Sequence, residues 1–311
     1  MYDVIIVGGG PAGLTAGIYA GRRALKTLIL SRDIGGQASK AWDIENYPGY
    51  EKTSGADLCS KFFNQAKSFG AEVKFEEAKN ISKKDDEFEV KTGSNAYQSK
   101  TIILASGKKP RELGVPGEEE FKGKGVSYCA TCDGPFFKEK TIAVIGGGNS
   151  ALDAALYCSK ICSKIYLIYR GTSFPAEQFL ADKVQAEEKI EVLLESEITI
   201  ISGSQTVEKI ELKSGKSLDV SGVIVEIGYV VDKSILENLV DLNEKGQIKT
   251  SNEQETSSLG VFAAGDITDA AYKQIVIAAG EGAKAALSAF DYIQKKEGKK
   301  GIVGDWEKKN K

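Results

Sequence analysis

Two stretches of the chain repeat one pattern of apolar and polar positions. Residues 2–30 run YDVIIVGGGPAGLTAGIYAGRRALKTLIL and residues 140–168 run KTIAVIGGGNSALDAALYCSKICSKIYLI. Each opens on a short apolar run, passes through three glycines, continues in small and apolar residues, and closes on a second apolar run with polar residues after it. The short runs bounded by glycine read as strands and the stretch between them as a helix, so each segment predicts a βαβ unit. The copies start about 138 residues apart, which points to a duplicated domain type and not to a solenoid. Further strands are predicted at 87–91, 101–106, 190–194, 207–212, 222–227 and 260–265, with long helices at 54–69 and 274–296. The lysines that close the second helix suit a helix C-terminus. The polar stretch 299–311 reads as a frayed end.

Composition narrows the function class. The chain has 311 residues, room for two ordinary domains, and its 41% apolar and 27% charged residues are those of a folded globular protein. A net charge of -3 argues against a nucleic-acid partner. No apolar run is long enough to span a membrane, and the opening MYDVIIVGGG lacks the basic start of a secretory signal. Five cysteines, an odd number in a long chain, speak against a secreted disulfide scaffold and for a cytoplasmic protein. The count of zero His excludes a Ser-His triad, histidine acid–base catalysis and histidine metal sites together.

The glycines carry the first chemistry. Gly8-x-Gly10-x-x-Gly13 follows a strand directly and opens a helix, with Pro11 acceptable at its start. The first glycine permits the tight turn, the second lets backbone N–H groups approach a pyrophosphate, and the third lets helix pack on strand. The helix N-terminus adds partial positive charge, so Gly8, Gly10, Pro11, Ala12 and Gly13 are candidate dinucleotide contacts. The acid usually found at the end of the next strand is displaced: Ser31 stands there, and Asp33 is either a ribose ligand or a turn residue. Gly146-x-Gly148-x-x-Ala151, with Asn149 and Ser150 between, forms a second cradle with the accepted alanine in third place.

Between the cradles lies Cys129-Ala130-Thr131-Cys132-Asp133. A C-x-x-C pair is half a zinc site or a redox disulfide. Zinc would need two more ligands, and the candidates are Cys158 and Cys162, which stand i,i+4 on the second predicted Rossmann helix and read better as buried small residues. Cys59 reads as structural as well. The redox reading is therefore preferred, with Asp133 placed to exchange the proton each half-reaction requires, or else to form the turn before Gly134-Pro135.

At these residues the sequence resembles the low-molecular-weight thioredoxin reductases, FAD-dependent pyridine nucleotide-disulfide oxidoreductases. The resemblance runs in order through VGGGPAG at 7–13, GGQ at 35–37, ENYPG at 45–49, ASG at 105–107, YCATCDG at 128–134, GGGNSALDAA at 146–155, AAGDITD at 263–269 and YKQIVIAAGEG at 272–282. It implies an α/β fold of two Rossmann-like dinucleotide-binding domains, the second inserted into the first. The FAD domain would comprise 1–111 and 232–311, and a pyridine-nucleotide domain carrying the cysteines would comprise 112–231. It implies FAD contacts at Gly36, Gln37, Asn46, Ala105, Gly107, Gly265, Asp266, Lys273, Gln274 and Ile275. It further implies that Cys132 faces the flavin and that Cys129 attacks the disulfide of a thioredoxin-like protein. Hinges near 110–116 and 228–233 and a homodimer are implied too.

The electron donor is where the chain departs from the pattern. Relatives that use NADPH carry His-Arg-Arg-x-x-x-Arg after the second strand of the inserted domain. Here the segment is Tyr169-Arg170-Gly171-Thr172-Ser173-Phe174-Pro175, and Arg170 alone matches an arginine. A 2′-phosphate favours clustered arginines. The donor is thus NADPH or NADH, or reduced ferredoxin in a relative with a degraded nucleotide site.

Overall fold

The structure, a computed structural model, describes residues 1–41 and 44–299. The polar tail expected to fray lies, from residue 300 on, outside the described residues. The chain divides into two compact units: one is Met1–Lys108 together with the segment that resumes at Val231, and the other is Lys109–Val230.

The first unit begins with β1 (Tyr2–Val7), α1 (Pro11–Arg22) and β2 (Thr27–Leu30), then α2 (Gly55–Ser68), β3 (Glu72–Lys74), β4 (Asn80–Lys84), β5 (Glu87–Lys91) and β6 (Ala96–Leu104). The sheet order is β3-β2-β1-β6-β5-β4. The first four strands pair in parallel, and β4 and β5 form an antiparallel extension on β6. Both faces of β1 are covered: Val4 and Ile6 pack into one cluster with α1 and α2, and Ile5 and Val7 into another. That double burial is why the strand reads as an uninterrupted apolar run instead of an alternating one. The helix predicted at 54–69 is α2, and Ser54 caps it by accepting the N–H of Asp57 at 3.1 Å.

The second unit contains β7 (Lys109–Pro110), β8 (Val126–Ser127), α3 (Ala130–Asp133), β9 (Thr141–Ile145), α4 (Asn149–Ser159), β10 (Lys164–Ile168), α5 (Gln178–Ala186) and β11 (Ile190–Leu193). It continues with β12 (Ile198–Gly203), β13 (Val207–Leu212), β14 (Ser217–Asp219), β15 (Gly222–Val225) and β16 (Tyr229–Val230). Strands β11-β10-β9-β15-β8 form a fully parallel sheet, the duplicate of the first unit's βαβ core. Its β9 is again buried on both faces, with Ile142 and Val144 in one cluster and Ala143 and Ile145 in the other. The antiparallel sheet β12-β13-β14 packs its apolar residues into that second cluster. Strands β7 and β16 pair with each other where the chain enters and leaves the unit, within the segments expected to act as hinges.

After Val230 the chain rejoins the first unit through β17 (Val261–Ala263), parallel to β6, and α6 (Ile275–Lys296). Helix α6 lies so close to α1 that a Cβ at Gly282 would collide with the carbonyl of Ala12. The residue type at Gly282 thus ties the late segment to the first cradle. No helix is long and apolar enough to cross a membrane among the described residues.

Candidate active site

The first cradle separates its glycines by what a side chain would meet. Gly8 has φ +117°, and a Cβ there would collide with the carbonyl of Ala105. At Gly13 a Cβ would collide with the carbonyl of Gly8. Gly10 differs: its φ of -77° suits any residue, and its nearest neighbour would be the Gly35 carbonyl at 4.0 Å. The protein itself does not require glycine at Gly10, and the open space lies at the start of α1, whose first N–H groups receive no side-chain cap. Uncapped donors beside open space fit a pyrophosphate.

The second cradle repeats this. Gly146 (φ +143°) is closed by the Glu226 carbonyl, whereas a Cβ at Gly148 would meet nothing within 4 Å at the uncapped start of α4. Ala151, in third place, is fully buried with its Cβ toward Gly146.

Several residues predicted for the first cradle come together. Asn46 Nδ2 donates to Gln274 Oε1 at 3.2 Å, across 228 positions of sequence. Gln37 Nε2 donates to the Lys108 carbonyl at 2.6 Å. Ala105 donates its N–H to the Val7 carbonyl at 2.8 Å, closing the loop that ends at Gly107 over the Gly8 turn. Gly265, followed by Asp266, has a position-specific neighbour in Ala12, whose Cβ lies 2.9 Å from where a side chain would begin. Lys273 donates to the Thr268 carbonyl at 2.8 Å, and burial, with Lys108 nearby, holds its ammonium below the ordinary lysine range. Ile275 opens α6 directly after Gln274. Asp33 Oδ1 accepts the N–H of Gly36 at 3.1 Å, the turn-forming contact. Ser31, in the place where an acid is usual, accepts the N–H of Gly9 at 2.9 Å.

Glu281 escaped the sequence reading. It is 9% exposed, and its Oε2 accepts the Gly265 N–H at 2.7 Å and lies 3.4 Å from the Thr268 hydroxyl. Burial pushes its carboxyl upward, and the Gly265 bond opposes that. The signal was present: a glutamate on the helix face that also carries Ala278, Ala285 and Ala289. Cys59 backs the Gly35 turn, and burial, with Asp33 nearby, pushes its thiol up to about 11, which leaves it inert at neutral pH.

Cys129 and Cys132 form a disulfide with Cα atoms 5.4 Å apart. Cys129 sits at the N-cap of α3, where its Sγ accepts the N–H of Cys132 at 3.3 Å and lies 3.4 Å from the Thr131 hydroxyl. Those donors would stabilise negative charge on this sulfur when the disulfide opens. Asp133 closes α3, and its Oδ2 accepts a hydrogen bond from Ser127 at 2.6 Å. Glu118 is buried and accepts the N–H groups of Leu113 and Gly114 and the hydroxyl of Tyr128, which precedes Cys129, at 2.8, 2.7 and 2.8 Å. Burial and that bond raise the Tyr128 phenol. The zinc alternative finds no support: Cys158 and Cys162 are buried in the apolar cluster under α4, where a hydrogen bond between the two thiols, with burial, raises that of Cys158. No group of side chains able to hold a metal occurs among the described residues.

At the end of β10, the aromatic ring of Tyr169 covers the second cradle's edge. A Cβ at Gly147 would lie 2.5 Å from Tyr169 Cδ2, and one at Gly171 would lie 2.5 Å from Tyr169 Cε1. The place of one missing arginine is therefore closed to any side chain while Tyr169 keeps this position. Arg170 is exposed. Asn149 exchanges two hydrogen bonds with Glu177, donating from Nδ2 at 3.1 Å and accepting its N–H at 2.9 Å, which ties the 171–177 loop to the start of α4. Burial and then Glu177 raise the carboxyl of Asp153 on the same helix.

Residues 2–282 match the family described as pyridine nucleotide-disulphide oxidoreductase. The chain is 39% identical to the thioredoxin reductase of Bacillus subtilis over 310 residues, covering 94% of this chain and 95% of that protein. The crystal structure of Lactococcus lactis thioredoxin reductase in its FR conformation is similar with a TM-score of 0.88 at 34% identity, over 95% of this chain and 100% of that one. A ferredoxin-flavin thioredoxin reductase from Clostridium acetobutylicum is similar with a TM-score of 0.55 at 32% identity, over 95% of this chain and 98% of that one. With two Gly-rich cradles, each following a central strand of a parallel βαβ unit, and a C-x-x-C disulfide between them in sequence, the chain belongs to the pyridine nucleotide-disulphide oxidoreductase family, among the low-molecular-weight thioredoxin reductases.

Proposed function

We propose that the chain is a thioredoxin-disulfide reductase, taking electrons from a nicotinamide cofactor and delivering them through FAD and the Cys129/Cys132 pair to a thioredoxin-like protein. The observation that carries this reading is the Cys129–Cys132 disulfide with Asp133 directly beside it. The first unit is assigned to FAD, held by Gly8, Gly10, Pro11, Ala12 and Gly13 at the pyrophosphate, by Asp33 toward ribose, and by Gly265 and Asp266. Gly36, Gln37, Asn46, Ala105, Gly107, Lys273, Gln274 and Ile275 complete its walls. The second unit is assigned to the nicotinamide cofactor through Gly146, Gly148, Asn149, Ser150, Ala151 and Arg170. FAD, when bound, supplies a two-electron carrier able to link hydride and dithiol chemistry.

The chain's own residues then perform thiol exchange. Reduced Cys129, as thiolate, attacks the partner's disulfide and releases one partner thiolate. Cys132 next attacks Cys129, re-forming the Cys129–Cys132 bond and releasing the second. Each departing sulfur requires a proton, and Asp133 is the group placed to carry it. Asp133→Asn should slow turnover with a thioredoxin roughly 10²-fold, the scale of lost acid–base help, without loss of bound flavin. Turnover at the original rate would remove Asp133 from the mechanism. The protein is assigned to the cytoplasm, which its free thiols at Cys59, Cys158 and Cys162 suit, and to a homodimer, which sedimentation at working concentration tests.

The donor is the open choice within this function. Arg170 with Gly171 and Pro175 offers a 2′-phosphate one charged contact where relatives that use NADPH offer three, and such contacts contribute about 1.5–3 kcal/mol each. At equal concentrations, NADH should therefore reduce the flavin as fast as NADPH or faster. A strong NADPH preference would show that other residues hold the phosphate. The same departures favour a second reading, reduction by ferredoxin, which the Clostridium acetobutylicum likeness supports. Anaerobic titration with NADH, NADPH and reduced ferredoxin, following flavin bleaching, decides between them. Bleaching by ferredoxin alone would establish the second reading.

A further inference from the structure

Ser127 lies at the end of β8, 4% exposed, between the redox pair and its acid. Its Oγ accepts the N–H of Cys129 at 3.0 Å. Its single hydroxyl proton has two acceptors in reach: Asp133 Oδ2 at 2.6 Å and the Cys129 carbonyl at 3.3 Å. A hydroxyl offers one proton and two lone pairs, so it can serve only one of these acceptors at a time.

From this geometry we infer that Ser127 is a positioning residue that holds Asp133 in one place through both of its protonation states. This rests on the role assigned to Asp133 above. When Asp133 is ionised, the Ser127 hydroxyl donates to Oδ2. When Asp133 carries a proton, the Ser127 hydroxyl turns to the Cys129 carbonyl, and its second lone pair accepts the carboxylic O–H. As the carboxylic O–H swings from Ser127 to a departing thiolate and gives up its proton, the serine hydroxyl turns back to Oδ2, so each resting protonation state keeps a hydrogen bond and only the O–H bonds rotate. One proton leaves the carboxylic acid, one thiolate becomes a thiol, and the serine keeps its own proton throughout.

Asp133 has other groups to turn toward if this bond is removed. Ser127 and Asp133 line a cavity of about 630 Å³ whose other walls include Lys124, Lys140, Glu208 and Asp219. Without the serine hydroxyl, a carboxylate in that cavity is free to seek the two ammonium groups. The bond to the Cys129 N–H has a further effect, since it sets the acid and the sulfur-bearing backbone against one shared oxygen.

The test is a double-mutant cycle on the flavin-loaded enzyme with a thioredoxin as substrate. Ser127→Ala should lower kcat about 10-fold, part of the 10²-fold scale of acid–base help, with KM for thioredoxin unchanged. Ser127→Thr, which keeps the hydroxyl, should recover most of the rate. The double variant Ser127→Ala/Asp133→Asn should be no slower than Asp133→Asn alone. Flavin content and the rate of flavin reduction by the donor, measured on every variant, show that the fold is intact. A full rate in Ser127→Ala, no recovery in Ser127→Thr, or multiplicative losses in the double variant would each overturn the inference while leaving Asp133 in place. A full rate in Asp133→Asn would overturn the reading of the acid itself, and the inference with it.

Discussion

Replacing Cys129 or Cys132 by serine will abolish reduction of a thioredoxin while leaving reduction of the flavin by its donor intact. The expected loss is complete because a serine oxygen cannot form the disulfide that stores the two electrons, and an alcohol at neutral pH is not the anionic nucleophile that thiol exchange requires. The fold should survive the change. Cys129 occupies the N-cap of α3, where serine is a favoured residue and can accept the same Cys132 N–H. The measurement is a pair of assays on each variant: anaerobic bleaching of the flavin by the donor, and steady-state reduction of a thioredoxin. Measurable thioredoxin reduction by either variant would show that the electrons leave by another route.

Gly10→Val will yield folded protein without FAD. The reasoning rests on what the structure leaves empty. The backbone at Gly10 is extended, with φ -77° and ψ -177°, so valine can adopt it, and apart from its own chain neighbours no protein atom lies closer than 4.0 Å to the place of its Cβ. The isopropyl group would stand at the start of α1, in the space assigned to the pyrophosphate. Gly13→Val should behave differently, because a Cβ there collides with the carbonyl of Gly8 and forces the cradle itself apart. The purified Gly10→Val protein should be colourless with an unchanged far-ultraviolet circular dichroism spectrum, whereas Gly13→Val should lose both colour and fold. A yellow Gly10→Val protein with full flavin content would remove this cradle from the FAD site. Gly148→Val offers the matching control in the second unit: flavin retained, nicotinamide cofactor excluded.

The regular parts of the fold were legible in the sequence where the pattern was local. Both βαβ units, α2 and α6 follow from runs whose burial on two faces or one stripe leaves an unbroken apolar or helical signature. The small antiparallel sheet was legible only at β13. Strand β12 shifts register between Ile198 and Ile200 and leaves Ile200 exposed, which breaks the alternation that would mark it. Strand β14 is three residues long, and α5 has nine, so both are shorter than the stretch over which a strand or helix pattern can be read. The chain was expected to cross between domains after 111 and after 231; the compact units divide after Lys108 and Val230. The pairing of β7 with β16 places both crossing strands in the inserted unit, and no local pattern encodes a pairing between segments so far apart.

At the site the same division holds, with a physical cause. By itself the sequence determined which backbone positions lack a side chain, where two sulfurs stand three residues apart, and which acid follows them, since each of these is a property of neighbours along the chain. The tertiary structure decided what those positions meet. It separated Gly10 and Gly148, where glycine leaves space for a ligand, from Gly8, Gly13 and Gly146, where glycine avoids a collision with backbone. It joined Asn46 to Gln274 and Glu281 to Gly265, laid the Tyr169 ring against Gly147 and Gly171, and brought the Ser127 hydroxyl to Asp133. A hydrogen bond or a steric contact forms within a few ångströms, whatever the separation in sequence, so it depends on how strands and helices pack. Tyr169 stands in a segment that was read along the chain and Ser127 one residue before the run at 128–134, but their contacts with Gly147, Gly171 and Asp133 exist only once β10 and β8 lie in the sheet.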